Sequence, residues 1–495
     1  MMRMTRLKSS LGCCVLLAAM CLAGLSAPAD TPLGYFPDDA TAALYLPSID
    51  FVQNDLAPIL KEAGVGDGLD GLIGTFPSRL GLSETATLPE IFKALGIDTA
   101  KPVTVFVQET PGVRNYGAVL AAADSALAKE KIKGVFTEDG AENFSSGEAK
   151  GMYHAQGRIG YVMDADKVFL GNTQELITSM VKRGGSPYVS PYASEAGSEV
   201  ALVTSIAKLQ AAGVLPDGSS AGIPYSTIYD YFKEFIGEIV VAAGESNGSS
   251  YVRLAMANPA GSAIAPADSL KMHNLFPADA PVMFNLRNDA KLMQTLRPLL
   301  TSIPGLGQGA MYISLVSSML GSEIGLALTG VTNNIPDGLI AATISNPASI
   351  KGLMGMAGVK DGPKEQINGA DIYALENIRE GLSVYIATLD TNLLVSTNLD
   401  TVKKALEKVS PEGIKEGGSP VDTAVLSTGN NGFLVLNGSK LDTSKLGGVS
   451  LPAGLDFSDI NVLATLGSKG NWNELRLSTP NSMQDIAGVA AGIVN

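Results

Sequence analysis

The chain repeats part of its own sequence at a spacing of 240 residues, and this repeat constrains the fold more than any local motif. Residues 36–60 and 276–300 align without a gap and share eight identities in 25 positions. Both stretches open on Phe-Pro-x-Asp-Ala, at residues 36–40 and 276–280. Self-similarity at a fixed offset is the signature of a duplicated folding unit. We therefore expect two related domains.

The similarity continues along both halves, with smaller offsets where loops differ in length. The further matching stretches are residues 117–122 with 338–343, 168–173 with 393–398, and 252–255 with 475–478. Their order is the same in both halves, as a duplication requires. A stretch rich in Ala, Pro and Gly over residues 260–274 favours a domain boundary there. The sequence thus predicts a first domain over residues 30–265 and a second over 266–495.

The first 29 residues resemble an export signal. Arg3, Arg6 and Lys8 form a positive start, residues 11–25 are an uncharged apolar run, and residues 27–29 (APA) suit signal peptidase. We expect cleavage after this motif and a soluble mature chain that is periplasmic, bound to the cell envelope or secreted. No transmembrane segment is predicted in that mature chain.

Two other interpretations of this segment stay open. A lipid anchor on Cys21 is one, although Met20 is bulkier than the small residue that such processing prefers. An uncleaved anchor is the other, although 15 apolar residues fall short of the roughly 20 that span a bilayer. The remaining cysteines, Cys13 and Cys14, also lie in this segment. The mature chain therefore has no disulfide, thiolate metal site or cysteine nucleophile.

The charge balance argues against two classes of partner. The full chain has 35 basic and 49 acidic residues and a formal charge of −14. Removal of the three signal-segment cations lowers this charge to −17. Such a surface repels nucleic acid and anionic headgroups, so we expect no nucleic-acid partner. The scattered acidic residues are interpreted as a solubility feature.

Short β-rich runs alternate with helical patterns in each half. Residues 159–163 and 168–170 flank Asp-Ala-Asp and predict a hairpin. Residues 174–183 have apolar positions at helical spacing and are followed by Gly184, which predicts a helix that ends there. Strands joined by tight turns favour antiparallel pairing. The predicted class is α+β: each domain is a mostly antiparallel sheet with helices packed on one face.

Serine-based catalytic motifs fail on their context. The Gly-x-Ser-x-Gly pattern at residues 244–248 follows a strand, but another strand comes next instead of the helix that a nucleophile elbow must open. We interpret it as a hairpin turn. The same pattern at residues 218–222 lies in a Pro/Gly/Ser loop. Ser205 and Lys208 have Ser-x-x-Lys spacing without the partner tripeptides of penicillin-recognising enzymes, so we interpret them as a strand end passing into a turn.

Histidine chemistry is also poorly supported. His154 and His273 are the only two histidines, and neither has a second ligand at metal-binding spacing. We interpret both as ordinary surface or strand residues. No catalytic residue, cofactor-binding residue or metal ligand is predicted, and the protein is expected not to be an enzyme.

Two segments could form a binding surface. One is the aromatic stretch 225–235, and the other is the Met- and Gly-containing apolar stretch 311–328. Domain core is the competing interpretation for both stretches. The predicted surface residues are Tyr225, Tyr229, Tyr231, Phe232, Phe235, Met311 and Met319.

The Phe-Pro-x-Asp-Ala opener, followed by a strand and a helix, resembles the start of domains in an uncharacterised family of exported bacterial proteins of unknown function. Domains of that family begin with Pro-x-Asp-Thr/Ala and are often repeated. The resemblance covers both halves, from Phe36 and from Phe276. It implies no activity, and no functional residue is carried over.

The sequence as a whole predicts an exported, non-enzymatic envelope or periplasmic protein. It would bind or scaffold through a surface or a cleft between the two domains, with an unknown envelope protein as its partner. The alternative is a carrier or chaperone for an apolar small molecule. A serine hydrolase acting through Ser246 is the third hypothesis, and its motif context disfavours it.

Overall fold

A computed structural model gives the fold. It describes residues 32–57, 77, 80–110, 113–138, 140–184, 199–213, 215, 219–220, 223–224, 226, 229–230, 236–246, 249–258, 270–288, 319–332, 335–356, 359, 362–379, 382–410, 413–415, 430–440, 461–469 and 471–480. These residues form two compact units, of which each is described by itself.

The first unit is built on ten strands. Eight of them precede residue 206: β1 (Ala42–Leu46), β2 (Val103–Thr110), β3 (Val113–Ala121), β4 (Glu142–Ser146), β5 (Ala149–His154), β6 (Ile159–Asp164), β7 (Lys167–Gly171) and β8 (Val200–Ser205). A separate two-residue hairpin follows, with strands β9 (Ser219–Ser220) and β10 (Ile223–Pro224). The unit is completed by β11 (Glu238–Ser246) and β12 (Ser249–Ala257).

Its helices are α1 (Leu88–Ala94), α2 (Ser125–Glu138), α3 (Gln174–Arg183) and α4 (Ile206–Ala211). Shorter helical turns cover Pro32–Tyr35, Ile49–Phe51 and Val52–Leu56.

All strand pairs of this sheet are antiparallel, as the sequence predicted. The pairing order is β12-β11-β8-β1-β2-β3-β7-β6-β5-β4. Most neighbours in this order are also neighbours in the chain, because short turns join them. The β1 strand is an exception, since it lies between β8 and β2.

Local signals in the sequence were accurate here. The predicted hairpin is β6 and β7, and Ala165 in its turn has a φ of 53°. The predicted helix is α3, whose first turn is capped by the Thr173 side chain. It ends at Gly184, whose φ of 63° lies in the left-handed region that favours glycine.

The prediction that helices pack on one face is wrong for this unit. Ile132 and Phe136 of α2 share a buried cluster with Leu120 of β3. A Cβ at Gly117 of the same strand would lie 2.8 Å from Met180 of α3. Residues 117 and 120 point to opposite faces because side chains alternate along a strand. The strands are apolar on both faces, and each face therefore needs cover.

The second unit repeats this construction. Its first seven strands are β13 (Val282–Arg287), β14 (Leu320–Thr332), β15 (Ile335–Ile344), β16 (Glu365–Ile367), β17 (Ala370–Arg379), β18 (Leu382–Leu389) and β19 (Asn392–Ser396). A two-residue hairpin, β20 (Val409–Ser410) and β21 (Gly413–Ile414), precedes β22 (Asn430–Asn437), β23 (Asn461–Lys469) and β24 (Trp472–Thr479). Helices are α5 (Pro347–Met356) and α6 (Leu399–Glu407), with short turns at Met272–Leu275 and Gly438–Lys440.

The ten main strands of the second unit pair in the order β24-β23-β22-β13-β14-β15-β19-β18-β17-β16. Position by position, this is the order found in the first unit. The pairs are again all antiparallel. The described part of the protein is thus mainly antiparallel sheet with few helices.

Candidate functional site

A row of apolar side chains crosses the sheet of the second unit on one face. Residues directly opposite each other on neighbouring antiparallel strands point to the same face. Following these pairs from β24 to β19 gives Leu477, Ala464, Leu434, Phe284, Leu326, Ile340 and Val395. The row continues into Ile386 of β18 and Tyr373 of β17.

The rows on both sides of it have the same character. One contains Leu475, Leu466, Gly432, Leu286, Ile324, Ala342 and Leu393. The other contains Val462, Leu436, Val282, Leu328 and Gly338. None of these positions is charged or polar. We call the three rows between β24 and β19 the apolar face.

The apolar face is partly open, unlike the reverse side of the same strands. Ile340, Leu434 and Leu477 are 45%, 40% and 43% exposed. Their strand neighbours Ala341 and Phe433 point the other way and are 0% and 2% exposed. That other side carries the core of the unit. It packs against Met272–Leu275 and α6.

Helix α5 covers only one end of this side of the sheet. Ile350 and Met354 of α5 pack with Tyr373, Ile386 and Leu393. The exposed residues Ile340, Leu434 and Leu477 lie on other strands. The described residues therefore cover the β17–β19 end more fully than the rest.

The matching row of the first unit has a different environment. The strand pairs give Leu254, Val241, Leu202, Leu44, Val105, Ala118 and Leu170. Leu44, Val105 and Leu170 pack against the cluster that includes Ile91 of α1 and Ile132 of α2. None of the seven is among the exposed large apolar residues. In this unit the chain's own helices cover the row.

A buried carboxylate lies on the core side of the second unit. Oε1 of Glu323 accepts hydrogen bonds from the backbone N–H groups of Lys271 and Met272, both at 2.7 Å, and from Nδ2 of Asn285 at 2.8 Å. Burial raises the pKa of the Glu323 carboxyl, and these hydrogen bonds oppose the rise. The carboxylate fastens the segment before β13 to β14. Its role is to hold the sheet and its turn together.

The first unit has a buried polar cluster on its own core side. Glu199 forms an ion pair with Arg253 and accepts a hydrogen bond from the hydroxyl of Tyr251. Glu199 and Arg253 are 2% and 0% exposed. Burial, and secondarily the negative charge of Glu199, raises the pKa of Tyr45 above its usual range. Within the described residues the Tyr45 hydroxyl has no hydrogen-bond partner.

Gly244 makes room for this cluster. It is paired with Tyr251 on β12. A Cβ placed on Gly244 would lie 2.9 Å from the Tyr251 hydroxyl oxygen and 3.1 Å from Cγ of Glu199. The first glycine of the Gly-x-Ser-x-Gly pattern is therefore explained by packing. The structure continues from β11 into β12, with Ser246 paired to Ser249, so the predicted hairpin is confirmed.

The other motif residues have structural roles as well. Ser205 accepts a hydrogen bond from the backbone N–H of Lys208 and caps α4, so a helix follows where we expected a turn. The Lys208 ammonium lies 4.1 Å from the centre of the Phe36 ring. Burial lowers the pKa of Lys208.

The two histidines lie in different units. His154 ends β5, and its Nδ1 accepts a hydrogen bond of 2.6 Å from the backbone N–H of Gly157. His273 is buried, which corrects its interpretation as a surface or strand residue. Its Nε2 is 2.7 Å from the carbonyl oxygen of Leu270, and burial lowers its pKa.

Most of the predicted binding residues lie outside the described part of the chain: Tyr225, Tyr231, Phe232, Phe235 and Met311. Tyr229 is half-buried, in the first unit. Met319 is half-buried in the second, where its carbonyl oxygen accepts hydrogen bonds from Ser345. The described remainder of the 311–328 stretch is the start of β14. The aromatic-helix signal did not identify the apolar face.

A signal for that face was present in the sequence. Strands with one open face usually alternate apolar and polar residues. Residues 324–328 (IGLAL) and 433–436 (FLVL) are apolar at every position or carry glycine. Strands of this kind present apolar side chains on both faces. Only the register shows that the second apolar side forms one continuous surface.

Metal and membrane features were sought in the described residues. They contain no group of three or more His, Asp or Glu side chains placed to hold a metal ion. No helix among them is both long enough and apolar enough to cross a membrane.

Comparison with known proteins gives little further guidance. The sequence matches no protein-family model, and no curated protein is significantly similar to it in sequence. Crystal form I of TP0453 is similar to 48% of this chain over 82% of its own length, with 10% identity and a TM-score of 0.25. Crystal form IV gives 47%, 81%, 11% and 0.26. TM-scores of this size do not establish a shared fold.

Proposed function

We propose that the protein is an exported, non-enzymatic binding protein of the cell envelope, and that it binds through the apolar face of its second unit. One observation supports this proposal above all others. Ile340, Leu434 and Leu477 are among the most exposed large apolar residues described, and register places them in one uninterrupted apolar row.

The energetics favour cover of this face by a partner. Monomeric soluble proteins rarely expose contiguous apolar patches larger than a few hundred Å², and larger ones mark interaction sites. Complete burial of one Leu or Ile side chain contributes about 1.5–3 kcal/mol. Three partly exposed side chains in line, with half-buried neighbours, therefore supply a substantial driving force for association.

Export is supported by the N-terminal sequence. The positive start, the apolar run of residues 11–25 and the small residues at 27–29 are those of a secretory signal. A mature chain without cysteine suits a protein that reaches an oxidising compartment and relies on its cores.

The two units are proposed to be tandem homologous domains. Their strand orders agree at all ten positions. Register equates Tyr45 with Asn285 at an offset of 240 and Phe169 with Leu394 at 225, as the sequence alignment does. It equates Val119 with Ala341 at an offset of 222, one residue more than the alignment gave. Duplication explains why both units have this row, and loss of cover explains why one of them is open.

An apolar-ligand carrier is the second candidate function. It is favoured by the lack of any polar side chain in the three rows, because a hydrocarbon needs no hydrogen-bonding group. The face is an open sheet surface. Such a surface covers a small molecule from one side only, whereas ligand pockets bury most of their ligand. The binding or scaffolding role is therefore preferred.

Native mass spectrometry of the protein purified from its own host tests the proposal. We expect the wild type to retain a non-covalent partner mass and the Ile340→Lys variant to lose it. Ile159→Lys is the matched control, because Ile159 is a strand residue of the first unit with a similar exposure of 41%. A wild type without any partner, or a partner retained equally by Ile340→Lys, would overturn the proposal.

A further inference from the structure

We propose that the apolar face of the second unit binds the same face of a second copy of this chain. This inference rests on the proposed function and names the partner. The contact is isologous: the same patch is used by both copies, so it closes after two molecules. Two sheets would pack face to face at a spacing of roughly 10 Å, as the layers of a β-sandwich do.

The shape of the face favours a flat partner. The open rows run across seven neighbouring strands of one sheet, from β24 to β19. A helix packed on them covers a strip about 10 Å wide. A second sheet of the same kind covers all three rows together.

The size of the face meets the requirement of a stable dimer. Seven strands spaced at about 4.8 Å span roughly 30 Å, and three same-face rows with their side chains span roughly 20 Å. The footprint is on the order of 600 Å² per copy, which is about the lower end of the range for specific interfaces. Its centre is wholly apolar, as in the interfaces of obligate homodimers.

Charge gives this dimer a distinctive salt dependence. The face has no charged residue, so no ion pair has to form or break when two copies meet. Each whole chain, however, has a formal charge of −14, or −17 without the first 29 residues. Long-range repulsion between like charges is screened by salt. Higher ionic strength should therefore strengthen the association, whereas it would weaken an ion-paired interface.

Analytical ultracentrifugation of the mature protein over a dilution series tests the inference. We expect a monomer–dimer equilibrium whose dissociation constant falls when sodium chloride rises from about 0.05 M to 0.5 M. Ile340→Lys and Leu434→Lys should each raise the dissociation constant at least tenfold. Ile159→Lys should leave it unchanged.

A second variant keeps the test valid if lysine disturbs folding. Ile340→Thr retains the β-branched shape that suits a strand and removes part of the apolar surface. It should weaken the dimer severalfold with an unchanged circular dichroism spectrum. A monomer at every concentration, or a dimer that all three face variants leave intact, overturns the inference.

Failure of the inference can be separated from failure of the proposed function. A monomeric wild type that carries a lipid-sized or foreign polypeptide mass, lost in Ile340→Lys, contradicts the dimer and leaves a binding function. A protein with neither a dimer nor any other partner mass contradicts both.

Discussion

Glu199 on β8 and Arg253 on β12 form a buried ion pair that reaches across the intervening strand β11. Gly244 on β11 has no side chain, and the Glu199 side chain occupies the space beside it. Three strands of the first unit are thereby joined by one contact. The cluster holds the sheet, and its stability should depend on both partners together.

Removal of one partner should be costly. Glu199→Ala leaves the Arg253 guanidinium buried beside a lost carboxylate, so we expect the free energy of unfolding to fall by about 3–5 kcal/mol. The double variant Glu199→Leu with Arg253→Met removes both charges and should be clearly more stable than Glu199→Ala. Urea unfolding of the three proteins measures this. Equal losses in the single and double variants would contradict the account of the pair.

Gly244 should not tolerate a side chain. Gly244→Ala forces a methyl group against the Tyr251 hydroxyl and Cγ of Glu199, and overpacking of this kind costs about 1–3 kcal/mol. Gly330→Ala in the second unit is the control, because a Cβ there has no neighbour within 4 Å. We expect thermal unfolding to show a lower melting temperature for Gly244→Ala alone. An unchanged melting temperature would mean that the cluster relaxes freely.

Glu323 should make stability depend on pH. Burial raises the pKa of its carboxyl in the folded protein above the value in the unfolded chain. The folded state therefore binds the proton more tightly. This contribution to stability is complete below the unfolded pKa and is lost as the pH rises through the folded one.

The Glu323→Gln variant tests this directly. A glutamine oxygen still accepts from the N–H groups of Lys271 and Met272, but it does not titrate. Urea unfolding at intervals between about pH 4 and pH 8 should show a decline for the wild type that is reduced in the variant. The pKa of His273 is lowered by burial, so its contribution has the opposite sign: it is lost as the pH falls. Identical pH profiles would show that Glu323 is not the titrating group.

The Gly-x-Ser-x-Gly pattern should have no catalytic role. Ser246 ends a strand and pairs with Ser249 in a hairpin, which is not the strand-to-helix turn of a nucleophile elbow. We expect wild type and Ser246→Ala to be equally inactive against a broad panel of ester substrates. An esterase activity that disappears in Ser246→Ala would restore the hydrolase hypothesis.

Local structure was predictable where one residue type has one physical role. Gly184 ends α3 because glycine readily adopts a positive φ, and the Asp-Ala-Asp turn joins β6 to β7. The antiparallel pairing followed from such tight turns. The offset that equates Val119 with Ala341 was misjudged by one residue, because runs of small apolar residues align almost equally well in either register.

The candidate site was not predictable in the same way. Aromatic residues at helical spacing drew attention to Tyr229 and its neighbours. Ile340, Leu434 and Leu477 are ordinary strand residues that lie far apart in the chain. Only pairing across β13, β14, β15, β22, β23 and β24 brings them into one row. The Glu199–Arg253 pair was missed for the same reason, since 54 residues separate its members.

The most direct test of the central claim uses the absence of cysteine after residue 29. Single variants Ile340→Cys and Ile159→Cys of the mature protein are labelled with a water-soluble maleimide over a range of protein concentrations. The account predicts that Ile340→Cys is strongly protected at high concentration and reacts as fast as Ile159→Cys after dilution. Equally fast labelling of both cysteines at every concentration would contradict it.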